Sequence, residues 1–193
     1  MNIQVYNEYG PIISGGRGTI EETSELNMKG SQDPLVLYYP HDTIPNAAMT
    51  KPESAGLIAV TYQRYTFFKI NAASTTKISN IRLNISVNAA TQASNVRLFY
   101  KLVSTYAQPI NTFDGTMIPV YTGSAFSNGS SSLDLAINLG DSPANTTVYY
   151  PTYTFTGDLY SQYLVTQMVV GAGTVGNSAE FLYKLSLDEI ASI

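Results

Sequence analysis

Ile81, Leu83, Ile85 and Val87 alternate without a break with Arg82, Asn84, Ser86 and Asn88. Successive side chains of an extended chain point to opposite faces, so this strict period of two predicts a strand with one buried and one wet face. The pattern returns at Leu133, Leu135, Ile137 and Leu139, and again at Phe181, Tyr183, Leu185 and Leu187. Less regular extended segments cover 57–62, 65–70, 96–103, 148–155 and 163–170. Turn-forming clusters stand between them: Asn71-Ala72-Ala73-Ser74, 88–95, Asp114-Gly115, Ser127-Asn128-Gly129, Gly140-Asp141-Ser142-Pro143 and 171–177. That makes about eight strands and almost no helix. Short strands between regular turns predict an all-β chain, an antiparallel β-sandwich of jelly-roll-like kind. Its closing element is expected to be a hairpin of 163–170 and 181–187 across a Gly-rich loop.

Residues 1–55 read differently. Gly10-Pro11, Gly15-Gly16, Gly18, Asp33-Pro34, Tyr39-Pro40, Ile44-Pro45 and Lys51-Pro52 interrupt every candidate element. Short extended pieces survive only at Ile3–Tyr6 and Leu35–Tyr39. The expected organisation is an extended, irregular N-terminal arm over 1–55 and a sandwich domain over 56–193. The arm would lie along its own domain or along a neighbouring subunit; a disordered leader is the alternative.

Charged residues make up 12% of the chain, about half the share of an average soluble domain. Asn, Ser, Thr, Gln and Tyr stand in their place. With 15 Tyr and 7 Phe, the chain has the aromatic content that disordered sequences lack. It therefore folds, and its surface is polar but nearly neutral. Such a surface suits coverage by neighbouring subunits or contact with uncharged partners such as sugars. The net charge is −4, and the 10 basic residues are spread thinly, so there is no cluster to hold a phosphate backbone and nucleic-acid binding is not expected. No apolar run approaches about 18 residues, and the N-terminus has no secretory pattern, so no membrane partner is expected. Without cysteine, disulfides, zinc ribbons and iron–sulfur centres are excluded.

Motifs with chemical content are few. His41 is the single histidine and lies in a Pro-flanked segment; one imidazole and no thiol do not make a transition-metal site, and a nucleophilic triad needs its base on a packed scaffold. Ser14-Gly15-Gly16-Arg17-Gly18 lacks the Gly-Lys-Ser/Thr ending of a phosphate loop and reads as arm or tight turn. Gly171-Ala172-Gly173-Thr174-Val175-Gly176 has dinucleotide-fingerprint spacing, but strand pattern follows it where a helix is required, so it reads as a loop. The acids fall mostly in the arm and in turns. Asp114 and Asp141 are single calcium ligands at best, and there is no Trp platform beside any carboxylate pair. The sequons at Asn84, Asn128 and Asn145 are expected by chance in so Asn/Ser/Thr-rich a chain. No cofactor and no enzymatic activity are expected.

Tyrosine is the remaining signal. It is large and stiff with a polar tip, and it is favoured at interfaces. Candidate interface residues are Tyr6, Tyr9, Tyr38, Tyr39, Tyr149, Tyr150 and Tyr153. Filling the sandwich core or its rim is the alternative role for each.

An irregular arm, a charge-poor sandwich without cysteine and a closing hairpin together resemble accessory virion structural proteins of tailed bacteriophages. The likeness is carried by Tyr163-Leu164-Val165-Thr166-Gln167-Met168-Val169-Val170 and by Phe181-Leu182-Tyr183-Lys184-Leu185-Ser186-Leu187-Asp188-Glu189-Ile190. The resemblance implies a non-enzymatic virion subunit decorating the capsid, neck, tail or baseplate. Its partners would be copies of itself, with a trimer expected by analogy, and other virion proteins. The second reading is a carbohydrate- or receptor-binding module of a tail fibre, with a host surface glycan as partner.

Overall fold

The computed structural model describes residues 2–22, 36–39, 47–50, 58–88, 96–120, 132–140, 153–171 and 180–191. In chain order its strands are β1 (Asn2–Ser14), β2 (Arg17–Glu22), β3 (Val36–Tyr39), β4 (Ala47–Thr50), β5 (Ile58–Val60), β6 (Arg64–Asn88), β7 (Val96–Val103), β8 (Ile118–Pro119), β9 (Ser132–Ala136), β10 (Leu139–Gly140), β11 (Tyr153–Ser161), β12 (Tyr163–Gly171) and β13 (Glu180–Ala191). There is no helix among the described residues. Every pairing is antiparallel, as the alternation predicted.

Two long tracts organise the fold. The first is β6, 25 residues without a turn. The second is β11 followed by β12, which run one after the other along the same edge of β6. Tyr160 opposes Lys69 and Leu164 opposes Thr66, so one extra residue enters the second tract between them. Ser161 answers the break by accepting a hydrogen bond from Phe68 N at 2.9 Å. On the opposite edge of β6 lie β1, against 65–71, and β13, against 76–88. β7 lines the outer edge of β12 and carries β8, while β9 pairs with 82–86 of β6.

Side chains from both tracts bury one main core. It holds Phe68, Ile70, Ile78, Ile81, Leu83 and Ile85 of β6, with Leu98, Leu159, Leu164 and Met168 facing them and Leu135, Leu185 and Leu187 packed at its margin. Each such aliphatic side chain contributes about 1.5–3 kcal/mol on leaving water. Ile78 and Ile81 reach the same core although a regular strand would turn them to opposite faces. Asn80 resolves this. Arg82 opposes Ser186 and Ser79 opposes Asp188, so β6 holds one residue more than β13 across this step. Asn80 takes the left-handed conformation (φ 51°), which Asn tolerates better than most residues. Its amide donates to Asp188 Oδ2 at 2.5 Å. The bulge flips the parity of the strand and returns Ile81, Leu83 and Ile85 to the core.

Three expectations need correction. Residues 2–22 are not an irregular arm: β1 and β2 form a hairpin whose first strand is a full member of the main sheet. The reason is that β1 turns the polar residues Asn7 and Glu8 inward, so it lacks the apolar alternation by which strands are found. Of the rest of 1–55, only 36–39 and 47–50 are described, as the two-stranded sheet of β3 and β4. Second, Asn71-Ala72-Ala73-Ser74 is not a turn. It lies within β6, which takes four steps from Ala72 to Thr76 where β11 takes two from Gly157 to Phe155, so the break in register falls within this segment, facing Gly157 (φ 105°). Third, β12 and β13 do not form a hairpin: both pair with β6. A strand order centred on two long tracts is a sandwich of antiparallel strands, and it does not establish a jelly roll.

Candidate interaction surface

The sheet face away from the main core carries a second, aromatic layer. Tyr65 and Phe67 of β6 and Tyr163 and Val165 of β12 form its buried floor, with Tyr106 and Met117 laid over it. Tyr65 meets Tyr106 and Tyr163 edge-on at 4.9 and 5.7 Å, and Phe67 meets Tyr163 edge-on at 5.6 Å. Edge-to-face rings are worth about 0.5–1.5 kcal/mol beyond their burial. Burial, followed by the charge of Asp114, pushes the Tyr65 hydroxyl up to about 12. Tyr106 is raised as well, by burial and then by the charge of Glu8.

Glu8 ties the hairpin to this layer. Its side chain is fully buried, and Arg17 closes on it at 2.7 Å through Nη2. The Nε of Arg17 lies 3.0 and 3.1 Å from the two carboxylate oxygens. Gly18 N donates to Oε1 at 2.7 Å and Tyr163 Oη to Oε2 at 2.6 Å. The buried charge is thus neutralised and hydrogen-bonded on both oxygens, which is the condition for tolerating it. Arg17 also lies 5.8 Å from the centre of the Phe67 ring. Tyr106 Oη donates to Gly10 O at 2.5 Å, and position 18 must be glycine because a Cβ there would stand 2.5 Å from Tyr9 O and 2.7 Å from Tyr106 Oη. On the core side of β1, Asn7 Oδ1 accepts from Arg64 Nε at 3.1 Å and Thr66 Oγ1 at 3.0 Å.

Residues 104–117 cross the aromatic layer as a strap, and buried amides fix it. Gln167 Nε2 donates to Thr61 O (2.9 Å) and Thr112 O (3.0 Å), and Asp114 N donates back to Gln167 Oε1 (3.2 Å). Asp114 accepts from Lys101 Nζ at 2.6 Å and from Thr116 Oγ1 and N at 2.6 and 2.9 Å. The Lys101 ammonium, aided by Thr116, holds the Asp114 carboxyl well below the usual range. This is turn chemistry, as the Asp114-Gly115 pair predicted: Met117 N closes the turn on Asp114 O at 3.0 Å.

Two parts of the surface stand out against this frame. The first is the hairpin tip, Gly10-Pro11-Ile12-Ile13-Ser14-Gly15-Gly16, which carries no charge. Gly15 and Gly16 make its turn in the left-handed region (φ 60° and 73°), so the tight-turn reading of this segment holds. Ile12 is 51% exposed and Ile13 71%. The second is the margin of the aromatic layer. There Tyr6 stacks on Phe67 (5.3 Å, 13° between planes) and Tyr160 lies 6.4 Å from Phe67. Lys69 bonds Asp158 at 2.8 Å beside them. That contact raises the Lys69 ammonium above its ordinary value.

The seven tyrosines expected at an interface fare differently. Tyr6 is half-buried at the layer's margin, and half-buried Tyr9 lies on β1 near Glu21, its hydroxyl raised by burial and by that carboxylate. Tyr38 and Tyr39 lie on β3 and Tyr153 opens β11 opposite Ile78. Tyr149 and Tyr150 lie outside the described residues, as do His41 and 172–179. Among the described residues, no group of three His, Cys, Asp or Glu side chains could hold a metal. Glu8, Arg17, Ile12, Ile13 and Lys69 were not singled out from the sequence as site residues. The uncharged run from Gly10 to Gly16, ending in Gly-Gly between extended segments, is the signal that points to a projecting hairpin. No protein-family model matches the chain, and no curated protein matches it either.

Proposed function

We propose that this protein is a non-enzymatic structural subunit that acts through protein–protein contacts, first of all with copies of itself. The observation that carries this reading is the hairpin tip. Two adjacent isoleucines stand in water on a base held by a buried ion pair and the Tyr106–Gly10 hydrogen bond. A projection fastened at its base loses less conformational entropy on docking than a free segment, so more of the burial of its apolar tip is retained as affinity. Burying what remains exposed of the two isoleucines is worth about 2–4 kcal/mol, enough to matter when several copies meet. The virion of a tailed bacteriophage is the setting we propose, on the sequence likeness of 163–170 and 181–190 alone; these two segments do not pair with each other.

Light scattering coupled to size exclusion, on the full chain and on an Ile12→Ser/Ile13→Ser variant, tests the contact. A defined oligomer that becomes a folded monomer in the variant is the expected outcome. A monomeric parent, or a variant of unchanged mass, overturns the reading. The setting is tested by mass spectrometry of purified particles from the source of the protein, where absence of the chain would refute it.

A further inference from the structure

The face that carries the aromatic margin is laid out in rows. Asn2, Asn71 and Asp158 oppose one another across β1, β6 and β11; Gln4, Lys69 and Tyr160 form the next row; Tyr6 and Phe67 form the third. Strand spacing makes this patch roughly 10 Å across, and two steps of the pleat make it about 14 Å long. Its floor is aromatic: Phe67 is buried, and half-buried Tyr6 and Tyr160 flank it. Its rim is polar and already organised. Asp158 accepts from Asn71 Nδ2 at 2.5 Å and from Lys69, and Gln4 Nε2 lies 3.2 Å from both oxygens of Glu22. Lys69 Nζ also lies 6.0 Å from the Tyr160 ring centre.

We propose that this patch binds an uncharged saccharide. A sugar offers apolar C–H faces beside paired hydroxyls. The patch offers aromatic rings beside an ammonium, a carboxylate, primary amides and two phenols, which together donate and accept. The charges decide against an ionic ligand. Lys69 is matched by Asp158 and Arg17 by Glu8, and among the described residues of the patch this leaves the carboxylate of Glu22, which repels phosphate and acidic sugars. No aliphatic side chain belongs to the three rows. Side chains tied to one another on paired strands are ordered before the ligand arrives, which reduces the entropic cost of binding. This site is independent of the hairpin tip and does not require the assembly reading.

The test is a glycan array containing neutral and acidic oligosaccharides, probed with the full chain and followed by saturation-transfer NMR on each hit. Neutral glycans should bind, with affinity nearly unchanged between about 0.05 and 0.5 M salt. Tyr6→Ala/Tyr160→Ala should weaken binding at least about tenfold. Asn71→Asp, an exposed change that leaves the aromatic layer intact, should weaken it similarly by setting a second carboxylate beside Asp158. Binding confined to acidic glycans, no binding at all, or binding unchanged in both variants overturns the proposal. So does a Tyr6→Ala/Tyr160→Ala variant that stays folded but loses self-association, because the patch would then be a contact between copies.

Discussion

Arg17→Met should destabilise the protein by about 3 kcal/mol, and the structure gives the reasoning. The Glu8 carboxylate is completely buried, while the Arg17 side chain keeps 19% of its exposure. Removing one member of a buried pair costs about 3–5 kcal/mol because the other charge is left uncompensated. Without Arg17, the carboxylate retains Gly18 N–H and Tyr163 O–H, which places the cost at the lower end. Glu8→Gln leaves a guanidinium that water can reach, and should cost less, about 2 kcal/mol. The double variant removes both charges together and keeps a neutral amide between the same two donors. Its cost should therefore fall short of the summed single costs by about 2 kcal/mol.

Urea unfolding followed by circular dichroism measures all four corners of this cycle. With a slope of about 2 kcal/mol per molar urea, the Arg17→Met midpoint should move down by about 1.5 M. The order of the two single variants is as informative as the coupling. A larger loss for Glu8→Gln than for Arg17→Met would mean that the buried group is the cation. Additive costs, or single losses below about 1 kcal/mol, would refute the claim that this pair fastens the hairpin.

Other consequences follow from single contacts. Asp114→Ala should cost about 2–3 kcal/mol at neutral pH through its lost charge-assisted hydrogen bonds, and hydrogen exchange should speed up across 104–117 more than elsewhere. Because the folded Asp114 carboxyl is held below its ordinary value, its contribution is complete above about pH 4 and is lost as the pH falls towards the depressed folded value. Asp114→Asn should flatten the stability–pH curve in that acid range, as followed by thermal melts. Asn80→Ala should cost about 1–2 kcal/mol and Asn80→Gly less, since glycine takes the left-handed conformation freely; equal losses in chemical denaturation would mean that only the contact to Asp188 matters. Gly18→Ala should lower the urea midpoint by more than Gly115→Ala, because a Cβ at 18 meets backbone and a fixed phenol while one at 115 meets nothing within 4 Å.

What could be read from the sequence was what depends on neighbours along the chain. Ile81, Leu83 and Ile85 announced a half-buried strand, and their side chains are all in the core. Leu185 and Leu187 point to the same core, as their own alternation predicted. Asp114-Gly115 announced a turn, and a turn stands there. Partners distant in the chain were not legible. β13 alternates equally well whether it pairs with β12 or with β6, and nothing local distinguishes the two edges. Asn71-Ala72-Ala73-Ser74 has turn composition, yet the chain stays in β6 and departs from regular pairing there only by two extra residues opposite the step from Phe155 to Gly157. The hairpin is the clearest case. Asn7 and Glu8 sit inside the fold only because Arg64, Thr66, Arg17 and Tyr163 are there to receive them. Two of these partners come from β6 and one from β12, all far along the chain.

The same logic orders the two candidate surfaces. Ile12 and Ile13 could be noticed in the sequence as an uncharged run, but not as exposed, because apolar residues in a strand are normally inside. Their exposure follows from the polar anchoring behind them: once Glu8 and Tyr106 fix the hairpin on the aromatic layer, its tip extends past the sheet. The rows of the aromatic margin arise only from register. Gln4, Lys69 and Tyr160 meet because β1 and β11 flank β6 at the same rung, and a slip of one residue in either strand would turn its side chains to the other face. Both surfaces therefore depend on how the N-terminal hairpin docks. The Glu8–Arg17 pair is consequently the contact whose loss should impair them together, whereas Ile12→Ser/Ile13→Ser and Asn71→Asp should each impair one alone.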